Sequence, residues 1–119
     1  MEAITAVTAL SALADEGRLD IYRRLVQAGP KGLSTGEIAR ATGLSPNALS
    51  FELGVLSAAA LATPKQVGGS TTYLAAYDNM RGLLAFLVED CCEGNPALCG
   101  PLVKAVSTCC SDSGERSPG

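Results

Sequence analysis

Apolar residues in the first part of the chain recur at helical spacing. Within residues 3–13 they return every three or four positions and form one stripe, made of Ile4, Val7, Leu10 and Leu13. The polar segment Asp15-Glu16-Gly17 interrupts this stripe, and a second helical pattern then runs to Gly29-Pro30. Because glycine followed by proline ends helices, the pattern predicts two consecutive helices before Lys31.

Capping signals predict two short helices in the middle of the chain. The segment Ser34-Thr35-Gly36-Glu37 is a capping box, which starts a helix that Gly43 ends. The next helix begins with Ser45 as its N-cap and Pro46 as its first residue, and it runs to about Ala60. Its buried face is predicted to consist of Leu49, Leu53 and Leu56.

After Pro64 the pattern changes from helical to extended. Residues 64–67 and 70–74 flank the glycine pair Gly68-Gly69, which predicts a β-hairpin. A last helix is predicted from about Tyr77 to Glu89. Two short helices with a glycine-containing turn, followed by a hairpin, are typical of a winged helix-turn-helix. We therefore predict a mainly α fold with a small β-hairpin.

The chain has 119 residues, a length typical of one domain. We expect the winged helix-turn-helix to occupy residues 1–90, a cysteine-rich tail residues 91–110, and a disordered tail residues 111–119. The sequence has no histidine, which excludes histidine-based catalysis and histidine-ligated metal sites, and we expect neither enzyme activity nor an organic cofactor. Without a basic leader or a long apolar run, the sequence predicts a cytoplasmic protein with no membrane partner.

Charge is distributed unevenly along the chain, whose net charge is −3. Up to Val88 seven basic residues balance seven acidic ones, whereas from Glu89 onward two basic residues face five acidic ones. In residues 43–75 the only charged side chains are Glu52 and Lys65. Charge alone therefore gives no support for nucleic-acid binding.

All five cysteines lie in the last third of the chain, as the pair Cys91-Cys92, the single Cys99 and the pair Cys109-Cys110. The odd number argues against a disulfide scaffold, and the spacing differs from that of a zinc ribbon. Cys91, Cys92 and Cys99 can supply three sulfurs to one soft centre, and trivalent arsenic prefers thiolate sulfur. Acidic residues around the first pair disfavour the thiolate form, which weighs against a peroxide sensor.

On these residues the chain resembles the ArsR/SmtB family of winged-helix, metal-sensing transcriptional repressors. The segments that carry the resemblance are Leu10–Ile21, Glu37–Ala39 and Leu44–Leu53, together with Gly68 and Tyr73 of the hairpin. The cysteines after the predicted last helix resemble the arsenite-responsive branch, which carries its arsenic site there. The resemblance implies a homodimer that binds operator DNA and leaves it when As(III) binds.

The residues and the resemblance together indicate three sets of site residues. As(III), the inducer, would bind Cys91, Cys92 and Cys99, with an accessory site at Cys109 and Cys110. The second helix of the helix-turn-helix would read base edges while basic residues contact phosphates, and this set is Ser45, Asn47, Ala48, Ser50 and Phe51, with Lys31, Arg40 and Lys65. The dimer interface would form from the first and last helices, through Ile4, Val7, Leu10, Met80, Leu83, Leu84 and Leu87.

Departures from the family pattern keep other functions open. The family usually carries His or Arg at the position of Glu52, Lys at that of Gly54 and Arg at that of Gly69. The neutral reading face favours a second hypothesis, a metalloid-sequestering protein on a repressor fold with weak or no DNA binding. A third is a thiol redox switch at Cys91-Cys92 or Cys109-Cys110. Among inducers, Sb(III) should behave like As(III), and methylated As(III) needs only the first cysteine pair.

Overall fold

The computed structural model describes residues 1–88 of the chain, in which Met1–Phe86 form one compact unit. Its elements follow in the order α1 (Ala3–Leu13), α2 (Glu16–Ala28), a 3-10 turn (Gly29–Lys31), β1 (Leu33–Ser34), α3 (Thr35–Thr42), α4 (Pro46–Ala58), β2 (Ala62–Val67), β3 (Ser70–Ala75) and α5 (Tyr77–Val88). This order confirms the predicted mainly α fold with a small β-hairpin. The predicted domain end at residue 90 and the tails at 91–110 and 111–119 lie outside the described residues.

Short polar side chains cap the starts of α2 and α3. The Asp15 side chain accepts a hydrogen bond of 3.1 Å from the Arg18 amide and caps α2. The predicted capping box is present at α3, where Ser34 Oγ accepts from the Glu37 amide at 3.1 Å and Glu37 Oε1 accepts from the Ser34 amide at 2.9 Å. Such caps satisfy amide groups that the first turn of a helix leaves without partners.

Helix α4 ends at Ala58, slightly before the predicted position. Ala60 adopts a left-handed backbone conformation with φ of 60°. The Leu61 amide then donates to the Leu56 carbonyl oxygen at 2.9 Å, which satisfies one of the last carbonyl groups of the helix. This turn sends the chain directly into β2.

The strands form an antiparallel sheet in the order β1-β3-β2. Strands β2 and β3 make the predicted hairpin, in which Val67 pairs with Ser70 across the turn Gly68-Gly69. Gly68 has a φ of 62°, in the left-handed region that tight hairpin turns require. The glycine pair is therefore the hairpin turn that the sequence predicts.

The two-residue strand β1, which the sequence did not predict, ties the start of α3 to the hairpin. Leu33 pairs with Tyr73, and Ser34 pairs with Thr72. Just before this strand, Gly32 has a φ of 67°, and a Cβ atom added there would lie 2.5 Å from the Tyr73 carbonyl oxygen. Only glycine allows this close approach. The middle of β3 and the start of α3 are thus joined through the backbone.

The core is aliphatic and draws on most elements. The large side chains that are fully buried are Ile21, Leu25, Ile38, Leu53, Leu56, Leu61 and Leu83. Helix α1 contributes small residues in place of large ones, namely Ala6, Ala9 and Ala12. The predicted leucine face of α4 is confirmed, because Leu49 is buried beside Leu53 and Leu56. Within residues 1–88, no helix is long and apolar enough to cross a membrane.

Candidate nucleic-acid interface

Helices α3 and α4 are joined by a tight turn. Gly43 ends α3 with a φ of 74°, and its amide donates to the Ala39 carbonyl oxygen at 2.8 Å. The Thr42 hydroxyl donates to the Ile38 carbonyl oxygen at 2.8 Å and accepts from the Leu44 amide at 3.3 Å. A short turn that contains glycine is the connection expected in a helix-turn-helix. These bonds fix the direction in which α4 leaves α3.

Helix α4 has one buried face and one exposed face. Opposite its leucines lie Asn47, Ser50, Phe51 and Gly54, and all four are exposed. Ser50 and Phe51 come three and four positions after Asn47, and Gly54 comes three positions after Phe51, so the four residues share one helix face. Phe51 is 66% exposed, although it is the largest side chain of the helix. The predicted base-reading residues Asn47, Ser50 and Phe51 therefore share one accessible face.

The other two predicted reading residues, Ser45 and Ala48, are less available for contacts with bases. Ser45 Oγ accepts a hydrogen bond of 3.2 Å from the Ala48 amide, so this hydroxyl caps α4. Its proton and second lone pair remain able to bond elsewhere. Ala48 is half-buried. The accessible polar groups of the reading face are thus mainly those of Asn47 and Ser50.

The predicted phosphate-binding residues lie on three separate elements. Lys31 belongs to the 3-10 turn, Arg40 to the last turn of α3, and Lys65 to β2, and all three are exposed. None of the three forms an ion pair with another of the residues 1–88. In chain order Lys31 and Arg40 come before α4 and Lys65 comes after it, and all three are accessible for contacts with phosphate groups.

Glu37 carries negative charge near two of these basic residues. Its hydrogen bond from the Ser34 amide lowers the pKa of the Glu37 carboxyl, and the charges of Lys31 and Arg40 lower this pKa further. Above that lowered pKa the carboxylate is ionised and offsets part of the positive potential. The helix cap thus reduces the attraction of α3 for phosphate.

Glu52, the acidic residue on α4, points away from the exposed face. Its Oε1 atom accepts a hydrogen bond of 2.8 Å from Arg18 of α2, and the two side chains are only 19% and 16% exposed. Arg18 Nε also donates to the Ala12 carbonyl oxygen, at the end of α1, at 2.6 Å. The pair joins α1, α2 and α4. Sequence reasoning missed this contact, and the only signal for it was an acidic residue on an otherwise uncharged helix.

The hairpin is nearly uncharged. Lys65 pairs with Thr72 across the hairpin and is its only charged residue. Closer to the turn, the Gln66 side chain donates to Thr71 Oγ1 at 3.0 Å. The hairpin therefore offers polar hydrogen-bonding groups and one cation to a nucleic acid.

The predicted dimer residues fall into different environments. On α1, Ile4 is 72% exposed, Val7 is 60% exposed, and Leu10 is also exposed. We call these three residues the α1 stripe. On α5, Met80 and Leu84 are half-buried, Leu83 is buried in the core of the protomer and Leu87 is exposed. The accessible parts of the predicted interface are thus the α1 stripe and Leu87.

An open groove of about 450 Å³ lies beside the α1 stripe, between α1 and α4. Its lining combines aliphatic and small side chains with one charged residue, and consists of Val7, Thr8, Ser11, Ala12, Arg18, Val55, Ala58 and Ala59. A helix of another protomer could pack its side chains into such a groove.

The predicted arsenic ligands cannot be located in this fold. Cys91, Cys92 and Cys99, and the accessory pair Cys109-Cys110, lie outside the described residues. Within residues 1–88 there is no group of three cysteine, aspartate or glutamate side chains that could hold a metal ion.

Comparison with known proteins gives matches to helix-turn-helix proteins. Residues 13–64, from the end of α1 into β2, match the family model for a helix-turn-helix domain. The chain is 33% identical to HlyU from Vibrio cholerae, over 73% of this chain and 97% of HlyU, with a TM-score of 0.58. No sequence among the curated proteins matches it at a significant level.

Two further solved structures have names that describe regulators. An ArsR-like transcriptional regulator from a Rhodococcus species is 23% identical, over 87% of this chain and 92% of that protein, with a TM-score of 0.67. A possible ArsR-family transcriptional regulator from Mycobacterium bovis, solved as a homodimeric winged helix-turn-helix DNA-binding domain, is 28% identical. That likeness covers 71% of this chain and 76% of the other, with a TM-score of 0.59.

Proposed function

Because the chain belongs to the ArsR-like family of winged helix-turn-helix transcriptional regulators, we propose that it is an arsenite-responsive repressor. It binds operator DNA as a homodimer and releases the DNA when As(III) binds. Its family and fold are those of DNA-binding regulators, which are not enzymes. We expect it to act in the cytoplasm, where it can reach both the operator and arsenite.

The exposed face of α4 is the observation that supports operator binding most directly. The helix-turn-helix presents Asn47 and Ser50 on an accessible surface, and their side chains can hydrogen-bond to base edges in the major groove. The Arg18–Glu52 pair removes the one acidic group of α4 from that surface. The face is neutral, so base contacts there encounter no repulsion from a carboxylate.

The salt dependence of DNA affinity tests this binding. If Lys31, Arg40 and Lys65 of both protomers contact phosphates, about six phosphates are neutralised, and log K should fall with log salt with a slope of roughly −5. Removing one of these cations, as in Lys65→Gln, should reduce the slope by about 2 per dimer. A slope near zero for the parent protein would favour the alternative function, a metalloid-binding protein without an operator. The neutral hairpin and reading face favour that alternative over a redox switch.

The α1 stripe supports the proposed homodimer. Three adjacent aliphatic side chains on one helix face are exposed in the protomer, and burying them would remove a continuous apolar surface from water. The Mycobacterium bovis relative is a homodimer by its description. A dimer would place two α4 helices for successive half-sites of DNA, about one helical turn apart. Sedimentation of the purified protein tests the dimer directly.

The proposed arsenic site consists of Cys91, Cys92 and Cys99, and the sequence is its support. Arsenous acid carries three hydroxyl groups on its arsenic atom. When three thiols replace them, three As–S bonds form, three As–O bonds break, and each hydroxyl takes one thiol proton and leaves as water. The reaction is neutral in charge, so the acidic residues around the pair do not oppose it. Divalent metals would have to displace the thiol protons, which makes their binding depend on pH.

Arsenic binding is tested by the arsenic retained per protomer after desalting. We expect one As(III) in the parent protein and its loss in Cys91→Ser, Cys92→Ser and Cys99→Ser. The matched controls are Cys109→Ser and Cys110→Ser, which should keep it. Loss of arsenic in either control would contradict a site made of Cys91, Cys92 and Cys99 alone. No arsenic on the reduced parent would exclude the arsenite assignment and leave the regulator with another inducer.

Release of DNA requires that arsenic binding changes the dimer. A tenfold loss of DNA affinity needs a difference of only about 1.4 kcal/mol between the bound and free states. We expect Cys99→Ser to bind DNA as the parent does but to stay bound when arsenite is added. If the variant loses DNA binding as well, the cysteine has a structural role.

A further inference from the structure

The exposed face of α4 carries one large apolar side chain. Phe51 is 66% exposed, while the leucines on the other face of the same helix are buried. Asn47 and Ser50 precede it on the same face. A phenyl ring has no donor or acceptor, so it cannot take part in the hydrogen-bond readout that these two neighbours offer.

Gly54 follows Phe51 on the same face and leaves the helix backbone bare. A Cβ atom added at Gly54 would meet no atom of the described residues within 4 Å. Glycine destabilises the middle of a helix relative to alanine. No packing contact within residues 1–88 requires a glycine at position 54. The glycine instead leaves space for an external group to approach α4 one turn beyond Phe51.

The charge around Phe51 also narrows the choice of ligand. Glu52 is turned toward Arg18, so the face from Ser45 to Gly54 carries no formal charge. Contact between an apolar ring and a phosphate group adds no favourable binding free energy, whereas contact with another apolar group removes both surfaces from water and is favourable. In the major groove the exposed apolar group of a base pair is the 5-methyl group of thymine.

We propose that Phe51 determines specificity by packing its ring against the 5-methyl group of a thymine in each half-site, in the space that Gly54 leaves open. This inference rests on the proposed binding of operator DNA through α4. It adds a sequence preference that the polar residues of the face do not provide, because they read hydrogen bonds and not methyl groups.

The experiment replaces thymines of the operator by deoxyuridine. Duplexes that bind the full-length parent dimer are first selected from a random pool. Each thymine is then changed singly to deoxyuridine, which removes the methyl group and keeps the base pairing. Dissociation constants are measured by fluorescence anisotropy at one salt concentration. For one thymine per half-site we expect affinity to fall about fourfold, the value for a buried methyl-sized group.

Three variants show whether Phe51 causes the effect. In Phe51→Ser the same deoxyuridine substitution should leave affinity unchanged. In Phe51→Leu, which keeps an apolar side chain, a reduced effect should remain, and this variant also serves if the serine variant binds too weakly. Leu19→Ser is the matched control, because Leu19 is an exposed apolar residue on α2. It should respond to deoxyuridine as the parent does, and melting curves should show that all three variants fold.

The outcomes separate this inference from the proposed function. If no single deoxyuridine weakens the parent, or if it weakens parent and Phe51 variants equally, the thymine contact is wrong while operator binding stands. If the parent selects no sequence and its binding does not depend on salt, operator binding itself is wrong. A sensitive thymine that becomes insensitive only in the Phe51 variants supports the inference.

Discussion

Helices α1 and α4 distribute their side chains in opposite ways. Helix α4 buries its leucines and exposes mainly small residues, with Phe51 as the exception. Helix α1 buries alanines and exposes Ile4, Val7 and Leu10. Both helices pack against each other and against α2.

This difference shows which surfaces the protomer completes by itself. The small residues of α1 allow close packing inside the protomer. Ile4, Val7 and Leu10 remain exposed to water, so they contribute no hydrophobic stabilisation to the protomer. The inward face of α4 is packed within the protomer, whereas the outward face of α1 is open to a partner, which we propose to be a second copy.

The largest effect is expected from the inward face of α4. Leu53→Ala should lower the free energy of unfolding by about 2–5 kcal/mol, because it removes a fully buried side chain and leaves a cavity. Urea denaturation measures this change. Ile4→Ala, on the outward face of α1, is the control and should change the stability of the separated protomer by less than about 0.5 kcal/mol. Equal losses in the two variants would contradict the division between the faces.

The next effect concerns the outward face of α1. Val7→Asp should weaken the dimer at least about tenfold, because each copy would bury an unpaired charge against the other. Analytical ultracentrifugation measures the dissociation constant, and DNA affinity should fall with it. Leu19→Asp places the same charge on an exposed position of α2 and should leave the dimer intact. A dimer that survives Val7→Asp would place the interface elsewhere.

A smaller effect is expected where the two helices are linked. A double-mutant cycle with Arg18→Met and Glu52→Gln should give a coupling energy of about 1–2 kcal/mol, since the pair is largely shielded from water and charge-assisted. The exposed pair Arg24–Asp20 is the matched comparison and should give less than about 0.5 kcal/mol. Additive losses for Arg18 and Glu52 would mean that the pair does not hold α4.

The smallest effect separates stability from DNA binding on α4. Gly54→Ala should raise the free energy of unfolding by about 0.5–1 kcal/mol, because alanine favours the helix and its Cβ meets no neighbour among the described residues. The same change should weaken DNA affinity by filling the space beside Phe51. Gly82→Ala on α5 is the control, with an expected gain in stability and no loss of DNA affinity. Unchanged DNA affinity in Gly54→Ala would show that nothing approaches α4 at that position.

The sequence predicted the helices and the hairpin because their signals are local. The capping box at Ser34, the N-cap at Ser45 and the glycine pair at residues 68–69 each act within a few residues. The sequence pattern did not predict which face of α1 is buried. The stripe of Ile4, Val7 and Leu10 and the alanine row one position away are both apolar with the same period, so periodicity treats them alike.

The features that the sequence missed depend on distant contacts. Strand β1 is too short for an alternating pattern, and it exists because Leu33 pairs with Tyr73. Arg18 and Glu52 lie 34 positions apart, so the local sequence around either residue does not predict their hydrogen bond. The exposed side chains Asn47, Ser50 and Phe51 were predicted, because three- and four-residue spacing places them opposite the leucines.

Strand β2 has a consequence for the behaviour of the protein at high concentration. Among residues 1–88 it forms one edge of the sheet, and an open edge can recruit a strand from another molecule. Pro64 has no amide to donate, and Lys65 places a charge in the same strand. Both residues discourage growth of the sheet from copy to copy. Concentrated preparations should therefore resist fibrous aggregation through this edge.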